Sequence, residues 1–512
     1  MGAFAADPGM TETNEAPRPL LGTALLALTW VYVGFTLLSF QFWRDDLTEN
    51  DSCYHVAMAQ VIREHGITRR FEWTELSIWK DRYSDKEFLF HLALVPFCGG
   101  GPEDAIRGGK VFIALLGLGV FVGFSLMLRS HGVPAPWIWT LVLLVASGHW
   151  LVRLTMIRPH VLSIGLALLA LHFLLRGRWK PVAILGFAYS WSYAAPHLMI
   201  AAAGVIAVSR WALEREWDWK PLAGAAGGVG VGMVIHPYFP NNIVLWWVQN
   251  VQVLFRAWGV WGPSEIRLGD ELAPASTWIL THGASAALGL FVACNLVAAA
   301  VRPRLAWQAL SLLALTWAFF LMELFSMRFV EYFAPCAVLT GAWVAKDLLV
   351  RDRPTWISRT EVRWASAVGL AGALLAANAW SNYVVFSVVG RYPAWEVGAT
   401  DWIRTSVPPG DRVLHVTFDQ FPNLFLRDRT HRYLVGLDPL FGYASHPDEI
   451  VYMYKIRTQE EAPDPREISR RLGGRYLVAE KARWKHIEGV KKLGAKVAFE
   501  DERAVVLDLV PP

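Results

Sequence analysis

Long apolar runs separated by short polar breaks dominate the chain, and their lengths predict membrane-crossing helices. The first covers 20–41; later ones fall at roughly 108–128, 135–152, 159–175, 181–195, 197–213, 221–236, 275–300, 305–325, 329–349 and 365–389. One further run, Phe88 to Phe97, is only ten residues long. As a helix it covers about 15 Å, half a bilayer, so it predicts a juxtamembrane helix inside one external loop, 42–107. A second external loop, 237–274, begins with Trp247, Val251, Leu254 and Trp258 at helical spacings. That pattern fits a helix lying in the interface, either as an anchor or as a lid over a lipid-linked substrate.

After the last run the pattern changes. Residues 412–416 (RVLHV), 432–436 (RYLVG), 475–480 (RYLVAE) and 496–509 read as strands, and EISRRLG and HIEGVKKLG read as helices that stop at glycine. The pattern predicts a polytopic α-helical membrane protein of about eleven spans. A tail at 1–19 precedes a transmembrane domain at 20–391, and an exported α/β domain occupies 392–512.

Composition agrees, with 54% hydrophobic residues and 18% charged, below the roughly 25% charged of soluble domains. The net charge of +4 says less than its distribution. With the N-terminus cytoplasmic, fifteen Lys/Arg fall in cytoplasmic segments and five (Arg153, Arg158, Arg256, Arg267, Arg328) in the later external loops. Counting 88–97 as a span would invert that positive-inside bias. The C-terminus is then external. Four scattered cysteines form no CxxC pair, and no repeat or Gly-rich phosphate loop stands out.

Polar chemistry gathers on the external side. Phe42 to Gly66 carries Asp45, Asp46, Glu49 and Asp51, then Tyr54 and His55 on a short amphipathic helix with Asp51 at or near its N-cap. RLTMIRPH (153–160) adds Arg153, Arg158 and His160; His197 and His236 sit at span ends, where hydrogen-bonded structural roles compete with functional ones. Glu323, Arg328 and Glu331 flank one boundary and are expected to pair, with Arg328 left partly free. Glu87 and His91 share a helical face beside Asp85, and either ligate a divalent cation or pair with Lys86 and Arg82. Carboxylates at a membrane boundary are costly unless water, a metal or a cation meets them. A transporter would more typically place such groups near the midplane, on broken helices.

The run NDSCYHVAMAQ, with Asp51, Tyr54, His55, Ala57 and Ala59 followed by Gly66, resembles the D-x-x-(Y/F)-(H)-x-x-A run of the GT-C glycosyltransferases. These include protein mannosyltransferases, aminoarabinose transferases and the oligosaccharyltransferase catalytic subunit. Arg158-Pro159-His160-x-Leu162 is similar to an R-P-Y-x-L found in one branch, and LVGLDPLFGY (434–443) to a stretch of the exported domain in bacterial members. Order and topology extend the likeness over most of the chain. Two features depart from it: DKEFLFH (85–91) stands where many members have Pro-Pro-Leu, and no second acidic residue follows the third span.

The resemblance implies an inverting enzyme of the external membrane face. It would move a sugar from a polyprenyl phosphate to a glycan, lipid or protein acceptor in a bacterial inner membrane, with no nucleic acid involved. Asp51 would serve as base or metal ligand, with Asp46 as the second candidate. Arg153, Arg158 and Arg328 would neutralise phosphate, and Tyr54, His55, His160 and His236 would bind substrate. A divalent cation (Mg or Mn) would be held by Asp51 with Glu87, or with Asp85. Two activities compete with this: a metal-independent glycan ligase or polymerase working through Arg and His, and a transporter or flippase of lipid-linked sugar. A non-catalytic assembly subunit is the third.

Overall fold

A computed structural model of the chain describes residues 18–257, 266, 269–301, 305–351, 360–415, 417–482 and 487–510. Most of the expected tail, together with Trp258, Arg267, Arg302, Arg304, Arg353 and Arg359, lies outside the described residues.

Nearly every predicted apolar run falls on one helix, including Arg18–Phe42, Pro102–Ser130, His160–Leu174, Trp179–Ser192, His197–Glu214, Lys220–Val234 and Trp307–Phe325. The run at 135–152 instead breaks into Pro136–Val145 and Gly148–Leu154, which meet at 90°. The break leaves backbone groups that need partners. Ser147 caps the second helix by accepting from the Trp150 amide and donates to the Gly283 carbonyl at 2.7 Å, while the Ala146 carbonyl accepts from the Ala287 amide. Among the described residues five helices are long and apolar enough to cross a bilayer, or six with the bent pair. The chain is an integral membrane protein, but the count of eleven spans is not established. His160–Leu174, Trp179–Ser192 and Lys220–Val234 have only 14 or 15 residues each. At 1.5 Å per residue that is shorter than a typical hydrocarbon core.

Two of these short helices pack backbone to backbone. A Cβ at Gly228 would collide with the Ala183 carbonyl, and one at Gly224 would lie 2.6 Å from the Trp179 carbonyl. Small residues spaced by four permit such an approach in membranes, where dispersion contacts replace the hydrophobic effect.

Outside the bundle, Asp51–His65 and Phe88–Leu94 are short helices, the latter continued by a 3₁₀ turn at Val95–Phe97. They share a core with the C-terminal part, although the sequence separates the two. Tyr54 stacks on Trp79 at 5.6 Å, and Phe71 lies 5.4 Å from Phe425. Glu75, itself buried, is held by Lys80, Arg412 and Arg432.

The C-terminal sheet comprises β1 (Val413–His415), β2 (Tyr476–Glu480), β3 (Lys496–Glu500) and β4 (Ala504–Asp508), in the order β1-β2-β4-β3. β1 and β2 are parallel, and β4 runs antiparallel to both its neighbours. The expected strand 432–436 does not join this sheet beyond a bridge to Arg412. Its backbone pairs with the loop at 73–76 instead, through Tyr433 to Trp73 and through Glu75 and Leu76 back to Tyr433 and Leu434. Its alternation was legible, but its partner was not the domain's own sheet.

Candidate active site

The N-terminus of Asp51–His65 is capped by a residue outside the helix. Asn50 occupies the cap position without a side-chain bond, and the Glu49 carboxylate accepts from the Asp51 amide at 2.6 Å and the Ser52 amide at 2.9 Å. Asp51 is therefore the first helical residue, and its carboxylate is free of capping duty. The Ser52 hydroxyl accepts from the Ile157 amide at 3.0 Å. That bond brings the segment carrying Arg158 alongside Asp51.

Arg158 Nη2 lies 3.1 Å from Asp51 Oδ2. The same guanidinium forks onto Glu271, donating to Oε2 at 3.0 Å and Oε1 at 3.3 Å. Glu271 also accepts from Arg153 Nη1 at 2.9 Å and lies 3.5 Å from Arg328 Nη1. Arg153 is buried and donates through Nε and Nη2 to Glu331, itself fully buried. His160 donates from Nε2 to the Arg153 carbonyl at 2.7 Å, which fixes that residue's backbone. Three arginines thus converge on one carboxylate, with Asp51 at the edge of the group.

Electrostatics follows from this placement. The Asp51 side chain is a quarter exposed. Desolvation pushes its carboxyl up to about 7, opposed by Arg158 and reinforced by Glu49 and Glu271. Burial would also raise Glu271, yet Arg158, Arg328 and Arg153 outweigh it and hold that carboxyl well below the usual range. One carboxylate is poised near neutrality while its neighbour stays ionised. Lys86, another cation acting on Asp51, lies 3.5 Å from Glu87.

A cavity of about 230 Å³ opens onto Arg328. Arg328, Glu331, Tyr193 and Ser326 line its polar end, while Leu198, Leu254, Leu272 and Phe325 make it apolar elsewhere. The Arg328 guanidinium sits over the Tyr193 ring at 5.7 Å, and its Nε is buried with no hydrogen-bond partner among the described residues. The cavity therefore pairs an apolar slot with the Arg328 guanidinium at one end.

Several expected site residues fall elsewhere. Asp46 lines a different cavity with Lys110, whose ammonium is held by the carbonyls of Arg44, Asp45 and Asp46. Tyr54 is buried in the aromatic core, and His236 packs among Phe88, Trp191 and Tyr238. His197 bonds the Trp246 indole. The expected trio of Glu323, Arg328 and Glu331 does not pair internally. Glu331 turns to Arg153, Arg328 to Glu271, and neither oxygen of buried Glu323 has a hydrogen-bond partner among the described residues.

His55 and His91 form a buried chain with Asp85. His91 Nδ1 lies 2.8 Å from Asp85 Oδ2, and His91 Nε2 lies 2.8 Å from His55 Nδ1. With His91 donating to Asp85, its Nε2 is left to accept from His55. Burial, with His91 and Arg158 nearby, holds His55 well below its ordinary pKa and so neutral. Donor atoms of His55, Glu87 and His91 lie within 4.8 Å of one another. Glu87 therefore groups with two imidazoles, not with Asp51.

Sequence reasoning missed Glu271. It comes from the loop expected at 237–274, 118 positions from Arg153, on a single 3₁₀ turn at Asp270–Leu272. Its one available signal was an acidic residue in a Trp-rich external loop facing external arginines.

Solved structures share this architecture. Over 90% of this chain and 69% of the other, it matches the archaeal oligosaccharyltransferase AglB from Archaeoglobus fulgidus in complex with an inhibitory peptide and a dolichol-phosphate, with a TM-score of 0.62 at 13% identity. A complex of the A. fulgidus oligosaccharyltransferase with Zn and sulfate matches at TM-score 0.59 and 13% identity, over 88% of this chain and 68% of that one. ArnT from Cupriavidus metallidurans bound to undecaprenyl phosphate matches at 0.56 and 17% identity, over 96% of this chain and 98% of that one. No protein-family model and no curated protein matches the sequence. The chain shares the overall fold of these solved structures, in keeping with the resemblance to the GT-C glycosyltransferases noted in its sequence.

Proposed function

We propose that the protein transfers a sugar from a polyprenyl phosphate to an acceptor at the external membrane face. The observation that carries this is the apolar cavity ending on Arg328, beside Arg158 and Arg153, with Asp51 bound to Arg158. A prenyl chain would occupy the cavity, and its phosphate the arginines. Asp51 takes the proton of the acceptor O–H or N–H as that atom attacks the anomeric carbon. The bond from that carbon to the phosphate oxygen breaks, and the arginines receive the leaving phosphate. Attack opposite the departing phosphate inverts the anomeric centre. The solved AglB and ArnT structures hold dolichol-phosphate and undecaprenyl phosphate, which supports the donor class.

A divalent cation, where one binds, would be held by His55, Glu87 and His91, with Asp85 orienting His91 as an outer-shell carboxylate. Two imidazoles and a carboxylate suit zinc better than magnesium or manganese. Such an ion would fasten Asp51–His65 to Phe88–Leu94. Element analysis of the purified protein before and after EDTA, compared with His91→Ala, tests this site: bound zinc lost only in the variant or after chelation is the expected result.

A second reading gives catalysis to the arginines alone, and Asp51's bond to Arg158 favours it to the extent that Asp51 only orients that guanidinium. Both readings are tested by incubating membranes with a radiolabelled polyprenyl-phosphate sugar. Label should leave the lipid phase for an acceptor, and donor that stays intact alongside lipid, glycan and protein fractions would refute the proposal.

A further inference from the structure

Glu271 and Leu272 fill adjacent halves of the donor site. The Glu271 carboxylate meets Arg153, Arg158 and Arg328, the groups assigned above to the phosphate. The next residue, Leu272, lines the apolar cavity assigned to the prenyl chain. An anionic head followed at once by a branched apolar group copies the junction of a prenyl phosphate. A carboxylate also presents two oxygens to a guanidinium fork much as a phosphate does.

Besides the carboxylate's own bonds to the arginines, the turn is closed by the Leu272 amide on the Gly269 carbonyl at 3.0 Å and tied to the segment at 326–327. The Ser326 hydroxyl donates to the Glu271 carbonyl at 3.1 Å, and the Met327 amide donates to the Ala273 carbonyl at 2.9 Å. Both anchors lie within two residues of Arg328, so the turn and that arginine are coupled. Asp51, Glu271 and Glu331 balance Arg153, Arg158 and Arg328 in charge without any ligand. An incoming phosphate makes the group anionic unless one carboxylate leaves. Glu331 is fully buried on a long helix, and Asp51 begins a helix whose end is capped by Glu49. Glu271 sits on a three-residue turn in a loop and is 27% exposed. It is the member of the trio that can move.

We infer that the Asp270–Leu272 turn is an internal mimic of the polyprenyl phosphate, displaced when donor binds and returning to help expel the spent lipid phosphate. This rests on the donor site proposed above and adds the competitor that occupies it. Glu271 is on this account a residue that governs donor entry and product release, acting through the arginines.

The test is binding of undecaprenyl phosphate to purified full-length protein in detergent, with undecaprenol as the uncharged control. Glu271→Gln keeps the side chain's shape and removes the competing charge, and should bind undecaprenyl phosphate roughly five- to tenfold more tightly than wild type. Leu272→Ala loosens the apolar half and should tighten binding by about two- to threefold. In turnover, Glu271→Gln should show a lower KM together with a lower kcat, because spent lipid leaves slowly. Unchanged or weaker binding by Glu271→Gln, in protein with wild-type thermal unfolding, overturns the mimic. If Glu271→Gln does not fold, Leu272→Ala decides, since a mere lining residue would bind less tightly on truncation. Wild type that prefers undecaprenyl phosphate over undecaprenol while neither variant gains affinity leaves the donor reading intact and overturns only the mimic. No preference for the phosphate in any of the three proteins overturns both.

Discussion

Replacing Asp51 by asparagine removes a proton acceptor and leaves a side chain of almost the same shape. The structural cost is small for two reasons. The helix end is capped by Glu49, not by Asp51, so the Asp51–His65 helix keeps its cap. Arg158 also keeps its forked bonds to Glu271. The pair lost is one whose carboxylate, a quarter exposed, is already disfavoured in its charged form by burial, so the variant should keep close to wild-type stability. The catalytic cost is larger, since losing a positioned general base typically slows a reaction by about 10² to 10⁴, or roughly 3 to 5 kcal/mol of barrier.

The pH dependence supplies a second readout. A base acts when ionised, and desolvation pushes the Asp51 carboxyl up to about 7. Protonation as pH falls through that value removes the base, so kcat/KM should fall about tenfold per unit below neutrality and level off above it. Asp51→Asn should lose that limb. The assay is transfer from radiolabelled polyprenyl-phosphate sugar in membranes at matched protein level, from about pH 5.5 to 8.5. A variant retaining more than about a tenth of the wild-type rate, or a flat wild-type profile across that range, would refute the assignment of Asp51 as the base.

Arg158→Lys keeps one charge but loses the fork that reaches both Asp51 and Glu271, so kcat should fall about 10²-fold or more in the same assay while the protein stays folded. Glu331→Gln leaves the buried Arg153 guanidinium with Glu271 as its one charged partner among the described residues and should cost about 1.5 to 3 kcal/mol, seen as a lower thermal unfolding midpoint in detergent. Gly228→Leu forces a side chain into the Ala183 carbonyl and should abolish stable expression; wild-type levels of monodisperse protein would show that the two helices have room to separate.

How much of this was legible in the sequence differs by kind of signal. Helices of the bundle were, because an apolar run of the right length has few other uses. The 90° break near Ser147 was not, because its cause is tertiary: the freed Ala146 carbonyl and the Ser147 hydroxyl find partners at Ala287 and Gly283. Strand 432–436 shows the same limit, since alternation reveals a pleated segment but not which edge it pairs with. Its partner, the loop at 73–76, lies on the far side of the whole membrane domain in sequence.

The candidate site divides along the same line. Asp51 and Arg158 stand out in the sequence as candidates because charges beside apolar runs demand an explanation. Their mutual contact was not, because it depends on a serine–backbone bond between Ser52 and Ile157 that leaves no pattern in the sequence. The expected Glu323–Arg328–Glu331 group failed for a related reason: closeness in sequence suggested pairing, but buried carboxylates take the donor that can reach them with satisfied geometry, and Arg153 meets Glu331 with two nitrogens. Glu271 had no periodicity, cap or motif around it. Only the convergence of three arginines marks it, and that convergence is what makes its carboxylate a competitor for the phosphate that the same arginines would hold.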